Sequence, residues 1–338
     1  MTSREYLQKV TLGHPAKLSG SIILQTYNPE WPAQYEAEQQ RIAHVLNRSD
    51  VTIEHVGSTS VPGLCAKPII DILLLVSNAS DETSYIPALT SAGYTLRIRE
   101  PEWYDHRMLK KHSPEINLHV FSAGCGEALR MLDFRNHLRT HPEDLTLYAE
   151  TKQILTQKNW KYLQDYADAK TSVIRKITRR ILQSYPLRTL TEKDIPEMRT
   201  LFRNTISKIN TSDYTAEEAA DWASCGNSTA HWHELLTHHR FFAVCNTQND
   251  IIGFASVNSE GYLHSLYVHH EWQRIGVGTR LLAEVEQLAR SAGAARIISE
   301  VSITARPLFE KQGFYIIKAQ KALARRLRLT NFVMEKVL

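Results

Sequence analysis

Cysteine is scarce in this chain of 338 residues: Cys65, Cys125, Cys225 and Cys245 lie far apart, with no Cys-x-x-Cys pair. That pattern argues against a disulfide framework and a zinc ribbon. Long apolar runs are missing as well, none approaching the roughly 20 residues that a membrane-spanning helix needs. The stretch from Met1 to Gly20 is polar and has no apolar centre of the kind a secretion signal carries. A cytoplasmic location is expected. Charge of one sign is not concentrated: Lys and Arg number 40 against 36 Asp and Glu, a formal charge of +4. Without a basic stripe, a nucleic-acid partner is not expected, although a weak positive balance suits small anionic ligands. Fifteen histidines are present, densest at His231-Trp-His233, His238-His239 and His269-His270. None has His-Glu-x-x-His spacing, and no carboxylate or cysteine set completes a metal site beside them.

The chain does have enough apolar residues, 43% against 22% charged, to build a sizeable core, and a length that suggests two domains. Asn28-Pro29-Glu30 should open a helix, with Asn as cap and Pro in the first turn, whose buried stripe is Trp31, Tyr35, Ile42, Val45 and Leu46. A short β-like run at Ile22 to Leu24 precedes it. Strands are expected over 52–56, 69–76, 94–98, 107–109 and 116–121, then helices in three segments broken near Pro142 and Asn159. Tyr185-Pro186 marks a boundary, because the residue before proline is driven out of helical geometry. The division is therefore a variable leader over 1–20 and α/β domains over 21–185 and 187–338. In the second, strands are expected over 241–244, 251–257, 262–268, 296–301, 314–318 and 329–336. Helices are expected over 195–206, 278–292 and 305–312, with an irregular helical region around 219–222.

The informative segment of the second half is Tyr262-Leu-His-Ser-Leu-Tyr-Val268, followed by Gln273-Arg-Ile-Gly-Val-Gly-Thr279. A strand runs into a glycine-bearing turn that opens an amphipathic helix. Such a helix start leaves backbone N–H groups unpaired and carries partial positive charge. Glycine at 276 and 278 keeps side chains out of the way of a pyrophosphate. Gly-x-Gly alone has little specificity. This segment, however, resembles the pyrophosphate-binding motif of the GNAT acetyltransferases, Gln/Arg-x-x-Gly-x-Gly/Ala, at Gln273, Gly276 and Gly278. Ala305-Arg-Pro-Leu-Phe-Glu-Lys-Gln-Gly-Phe314 resembles the second motif of that family, and the ending Thr330 to Lys336 is similar to that of its YafP-like branch.

The resemblance implies a GNAT fold, a central mixed sheet flanked by helices, and transfer of an acetyl group from acetyl-CoA to the amine of a small molecule by direct attack. It implies that the backbone of Leu266 and Val268 pairs with the pantetheine arm. The N–H groups of Arg274, Ile275, Gly276, Val277, Gly278 and Thr279 would then hold the pyrophosphate, with Gln273 in the same cradle. The usual general acid of the family is a tyrosine beside the coenzyme where this chain has Phe309, and Ser302 stands where asparagine is usual. A phenyl ring cannot donate a proton, so acid–base work falls to His264, Tyr267 or Glu260. Strand alternation puts His264 and Leu266 on one sheet face and Tyr267 on the other. Tyr214, Trp222 and Trp232 sit where this superfamily builds its acceptor pocket; they line an apolar or cationic site, or they fill core.

In the first half, Glu54-His-Val-Gly-Ser-Thr-Ser-Val-Pro-Gly-Leu-Cys-Ala-Lys-Pro-Ile-Ile-Asp71 joins a strand to a buried strand through a hydroxyl-rich turn. Gly57 and Ser58 can approach a phosphate, Lys67 can neutralise it, and Asp71 can hold Mg²⁺. This segment resembles the GrpB family of the nucleotidyltransferase superfamily over about 22–185, with His119, Phe134-Arg-Asn-His-Leu-Arg139, Tyr166 and Lys170 matching too. The resemblance implies a nucleotidyltransferase-like mixed sheet with helices and a nucleotide or anion site. That site would draw on His55, Gly57, Ser58, Lys67, Asp71, His119, Arg135, Arg139 and Lys170. Two-metal transfer needs a second acid, and Leu73 occupies its place. Arg135 and Arg139, one turn apart, grip an anion or form a solvated face. Two other readings compete with the acetyltransferase: nucleotide chemistry centred on Asp71, and a GrpB-like module that only senses or docks a substrate.

Overall fold

The computed structural model describes residues 3–14, 22–160 and 162–338. Contacts divide the chain into two units, Met1–Ile181 and Leu182–Leu338. In the first, strands β1 (Thr52–Val56), β2 (Ile70–Val76), β3 (Thr95–Glu100), β4 (His106–Lys111) and β5 (Ile116–Ser122) form a sheet in the order β1-β2-β5-β4-β3. β2 and β5 run parallel and the remaining neighbours antiparallel. β2 is interior and covered on both faces, which is why Ile-Asp-Ile-Leu-Leu-Leu-Val is apolar almost throughout. Helix α2 (Trp31–Leu46) lays Trp31, Ile42 and Leu46 against Ile72, Leu74 and Val76. On the other face Val56, Leu73 and Phe121 pack with Ala128 of α4 (Gly126–Thr140). Helices α3 (Ile86–Ser91), α5 (Pro142–Thr156), α6 (Leu163–Ala169) and α7 (Thr171–Ser184) complete the unit's frame.

Three details depart from expectation. α2 begins at Trp31 with Pro32 in its first turn, because Asn28 Oδ1 accepts the Glu30 N–H (2.9 Å) in a separate turn ahead of the helix. Residues 22–24 form no strand; the segment makes only the isolated bridge Gln25–Ala66. The end of the unit has α6 and α7 separated at Lys170 where one segment was expected. Of the leader, α1 (Ser3–Val10) lies along β3, with Tyr6 Oη donating to Glu100 Oε1 (2.7 Å) and Thr11 bridging Ile98. The rest of the leader, 1–2 and 15–20, lies outside the described residues.

The second unit contains β6 (Leu187–Thr189), α8 (Ile195–Lys208), α9 (Ala216–Cys225), α10 (Thr229–His238), β7 (Arg240–Cys245), β8 (Ile251–Val257) and β9 (Tyr262–Val268). There follow α11 (Val277–Ser291), β10 (Arg296–Ser302), α12 (Arg306–Lys311), β11 (Tyr315–Leu323) and β12 (Arg328–Val337). The sheet order is β11-β12-β10-β9-β8-β7-β6. β9 and β10 are parallel; the other neighbours are antiparallel. β8 is buried at every position, with α8 and α11 both packed on it. Within this unit the Arg280 guanidinium donates to the carbonyls of Leu182 and Tyr185. Among the described residues no helix is long and apolar enough to cross a membrane.

Candidate functional site

The parallel pair β9–β10 is matched only at Tyr262–Ile298 and Leu263–Ser299, after which the strands part. The outer edge of β9 is thereby left open. His269 N–H bonds the Ile252 carbonyl of β8 (2.9 Å). In an antiparallel ladder the bonding residues alternate, so Leu266 and Val268 direct their backbone groups away from β8, toward the gap. The Val268 carbonyl is already taken, by Thr205 Oγ1 (2.9 Å) and Gln273 Nε2 (2.7 Å). What remains open is the Leu266 N–H and C=O and the Val268 N–H.

Beyond β9 the chain turns through Arg274 (φ 59°) and Gly276 (φ 116°) into α11. Among the described residues the N–H groups of Arg274, Ile275, Gly276, Val277, Gly278 and Thr279 have no protein acceptor, and the first helical bond runs from Arg280 N to Gly276 O. Gly276 is needed for its left-handed conformation. Gly278 has a different reason from the one expected: a Cβ there would lie 2.7 Å from Leu308 Cδ2, so its smallness admits α12 and not a ligand. Gln273 likewise braces the turn through Val268 and does not reach into the cradle. Phe309 is 2% exposed and packed edge-on against Phe314 (4.9 Å), a core position that is not part of the cavity wall formed by β9 and its neighbours.

Alternation fails on β9, and the failure builds the pocket. The register passes from Ser256–Ser265 to Val257–Leu263, making His264 an extra residue, a bulge. His264, Ser265 and Tyr267 consequently all line one cavity of about 350 Å³, while Leu266 and Val268 point toward Gly278 of α11. The expectation that His264 and Tyr267 lie on opposite faces is corrected by this bulge. Glu260 is exposed in the β8–β9 turn and does not line the cavity.

Tyr214, Trp222 and Trp232 line the same cavity and pack into its walls. Tyr214 Oη donates to the Thr330 carbonyl (2.7 Å) and accepts the Ile303 N–H (2.9 Å). The Asp221 carboxylate collects the backbone N–H groups of Arg325, Arg326 and Leu327 and the Arg326 guanidinium. That clamp holds the β11–β12 turn where Ala322, Leu323 and Ala324 complete the wall. Burial pushes the Tyr267 phenol above its usual pKa, with the Trp222 side chain acting against that rise. Burial, with His239 and His231 nearby, pulls His264 down to about 4, so its ring is neutral at pH 7; its Nδ1 contacts Ser265 Oγ (2.8 Å). Glu300 and Asn331, missed in the sequence, also face the cavity. Asn331 Nδ2 donates to Glu300 Oε2 (3.2 Å), and Asn331 Oδ1 is buried without a partner among the described residues. They come from β10 and β12, and no local motif marks them.

In the first unit Gly57, at φ 69°, lies so close to Asp71 that a Cβ would stand 2.3 Å from Oδ2. Asp71 Oδ1 accepts from Asn117 Nδ2 (2.8 Å) and faces His119 Nε2 at 3.9 Å. Burial alone would raise the Asp71 pKa, but His119, Asn117 and Lys67 bring it below the ordinary carboxylate value. His119 Nδ1 meets His106 Nε2 (3.1 Å), whose Nδ1 meets Glu100 Oε2 (2.6 Å). These donors do not fit Mg²⁺: Leu73 is fully buried where a second acid would stand, and no group of three metal-ligating side chains occurs among the described residues. Arg135 is engaged with Glu54 Oε2 (2.8 Å) and the His55 carbonyl, and Arg139 with the Ser60 carbonyl. Both arginines brace the β1 end and its turn; Arg135 is partly buried, and Arg139 remains exposed to solvent.

His55, stacked on Tyr35 (4.6 Å), and His106 are 6% and 4% exposed, and burial brings both down to a pKa of about 4. Unfolded, each takes a proton near pH 6.5; folded, each resists until about pH 4. The unfolded chain therefore binds more protons in that window, and stability falls as pH drops through it. The loss is on the order of 3 kcal/mol per histidine once pH is below both values. Urea unfolding at about pH 7 and about pH 4.5 should show the midpoint of the first unit moving down. A midpoint that stays put contradicts neutral burial of the two rings.

A family model described as GrpB protein matches residues 21–180, and one described as acetyltransferase (GNAT) domain matches 210–336. The UPF0157 protein BH1888 of Halalkalibacterium halodurans is 52% identical over 176 residues, 52% of this chain and 90% of its own length. The uncharacterized N-acetyltransferase YafP of Escherichia coli is 30% identical over 142 residues, 42% of this chain and 88% of its own length. The crystal structure of the conserved protein GrpB from Enterococcus faecalis is similar at 32% identity and a TM-score of 0.43, covering 48% of this chain and 98% of that one. The chain thus belongs to the GrpB (UPF0157) family through its N-terminal half and carries a GNAT acetyltransferase domain in its C-terminal half.

Proposed function

We propose that the C-terminal domain is an N-acetyltransferase that moves an acetyl group from acetyl-CoA to the amine of a small molecule by direct attack. The observation that carries this reading is the conjunction of unengaged N–H groups over 274–279 with an open β9 edge beside them. Those N–H groups would hold a pyrophosphate at the positive end of α11. Leu266 N–H and C=O and Val268 N–H would pair with the amides of a pantetheine arm. Acetyl-CoA, when bound, supplies the activated thioester. His264, neutral at working pH, would take the proton of the attacking amine, and the Tyr267 hydroxyl, beside it on the cavity wall, would donate its proton to the departing sulfur. Thiol release across a panel of amines, together with calorimetry of coenzyme A binding, tests the proposal. Absence of coenzyme binding would remove it.

The acceptor side of the cavity favours cations. Among the described residues that line it, Glu300 is the one carboxylate, there is no lysine or arginine, and the buried Asn331 Oδ1 awaits a donor. Aromatic walls at Trp222 and Tyr214 add to the preference. Glu300→Gln should therefore raise KM about fivefold for a diamine acceptor, as expected for an exposed ion pair worth ~1 kcal/mol. The KM of a monoamine and kcat for both should change little. Equal effects on the two acceptors would assign Glu300 no part in recognition.

A further inference from the structure

The mechanism proposed for the second unit leaves unused a cluster of amines in the first. Lys152 of α5 is 3% exposed, and its Nζ donates to Ser58 Oγ (2.9 Å) and to the Cys65 carbonyl. Lys67, in the β1–β2 connection, and Lys170, just after α6, place their Nζ atoms 5.7 and 4.9 Å from the Tyr166 ring centroid. Tyr166 is 1% exposed, and its hydroxyl is buried with no partner among the described residues. Lys67 and Lys170 are only half-buried, so the cluster is reachable from solvent on their side.

Among the described residues Asp71 is the carboxylate that acts on all three amines, and it is already hydrogen-bonded by Asn117 (2.8 Å). Three ammonium groups against one carboxylate leave an excess of two positive charges in a partly buried place. Burial and mutual repulsion draw Lys152 and Lys170 down to a pKa of about 8, yet both stay mostly charged at pH 7. A cluster serving the fold alone would balance its charges, because unpaired buried charge is destabilising. A bound dianion supplies the balance, and its oxygen also accepts a hydrogen bond from the Tyr166 hydroxyl, which has no partner among the described residues.

We propose that Lys67, Lys152, Lys170 and Tyr166 form a metal-independent site for a doubly charged oxyanion, a phosphate group, free or as the monoester of a small molecule. The ammonium groups occupy the role that metal ions would otherwise fill, and Asp71 sets the net charge without ligating anything. The site is independent of acetyl transfer.

The test is calorimetry on the full chain at pH 7, titrating inorganic phosphate and, separately, glycerol 3-phosphate, each with EDTA and with Mg²⁺. Binding should be the same with and without EDTA. Lys152→Gln and Lys170→Gln should each weaken it about tenfold, the loss of one charged contact. Asp71→Asn should strengthen it severalfold by removing the one negative charge. Tighter binding of the ester assigns the site to a phosphorylated small molecule, and equal or weaker binding assigns it to free phosphate. Loss of binding in EDTA or in Asp71→Asn would mean that a metal carries the anion and would overturn the proposal. So would unchanged affinity in a folded lysine variant, or the absence of any heat with either anion at about 10 mM. Melting curves report folding, and the half-buried Lys170 keeps the test open if the Lys152 variant is unstable.

Discussion

Gly276→Val should lower coenzyme A affinity about a hundredfold while leaving the C-terminal domain folded. Gly276 sits at φ 116° and ψ 0°, outside the range of β-branched residues, and it caps α11 in the middle of the unengaged N–H groups of 274–279. Strain of this kind costs roughly 1–3 kcal/mol. The turn relieves it by rotating, and that rotation carries the N–H groups of 274–279 away from a common focus. A misalignment worth about 2.7 kcal/mol is a hundredfold in affinity. Calorimetry with coenzyme A reads the loss, and melting curves read the fold. Gly278→Val provides the contrast, since its Cβ meets Leu308 Cδ2 at 2.7 Å. Overpacking of that sort costs about 1–3 kcal/mol and should appear as a lowered Tm. If Gly276→Val binds coenzyme A normally, the turn is not an anion cradle.

Tyr267→Phe should lower kcat about a hundredfold with the acceptor KM nearly unchanged, the range expected for loss of a general acid. The ring stays: it packs against Phe202 (4.8 Å) and Phe254 (5.5 Å), contacts that phenylalanine retains. The hydroxyl is what goes. Because burial raises the Tyr267 pKa above its usual value, the phenol is protonated throughout the neutral range. Wild-type kcat should therefore show no decline from tyrosine ionisation between about pH 6 and about pH 9. A merely structural tyrosine predicts the opposite pattern, unchanged kcat and a lowered Tm.

Much of the frame was legible because it rests on local chemistry. β1 and β9 fall where the apolar patterns put them, at Thr52–Val56 and Tyr262–Val268. The start of α11 follows from glycine at 276, whose left-handed conformation is a property of one residue. The two family resemblances were carried by contiguous motifs for the same reason.

Other parts were not legible. Asn28 looked like the cap of α2 because Asn before Pro usually is one; its side chain instead closes a turn ahead of the helix. Phe309 was placed beside the coenzyme by analogy of position, and packing against Phe314 makes it core. Arg135 and Arg139 show the spacing of an anion grip, but carbonyls of the β1 end and its turn reach them first. Lys152 carries no motif at all and is recognisable only once α5 is laid beside Ser58.

By itself the sequence determined most of the segments that become strands and helices, and that a turn rich in free N–H groups opens a helix in the second half. The tertiary structure decided which side chains share a cavity. The bulge at His264 arises from the register between β8 and β9, and the open edge of β9 from its divergence from β10. Both are relations between strands, set by the packing of whole layers, and a residue's own neighbours in the chain do not encode them.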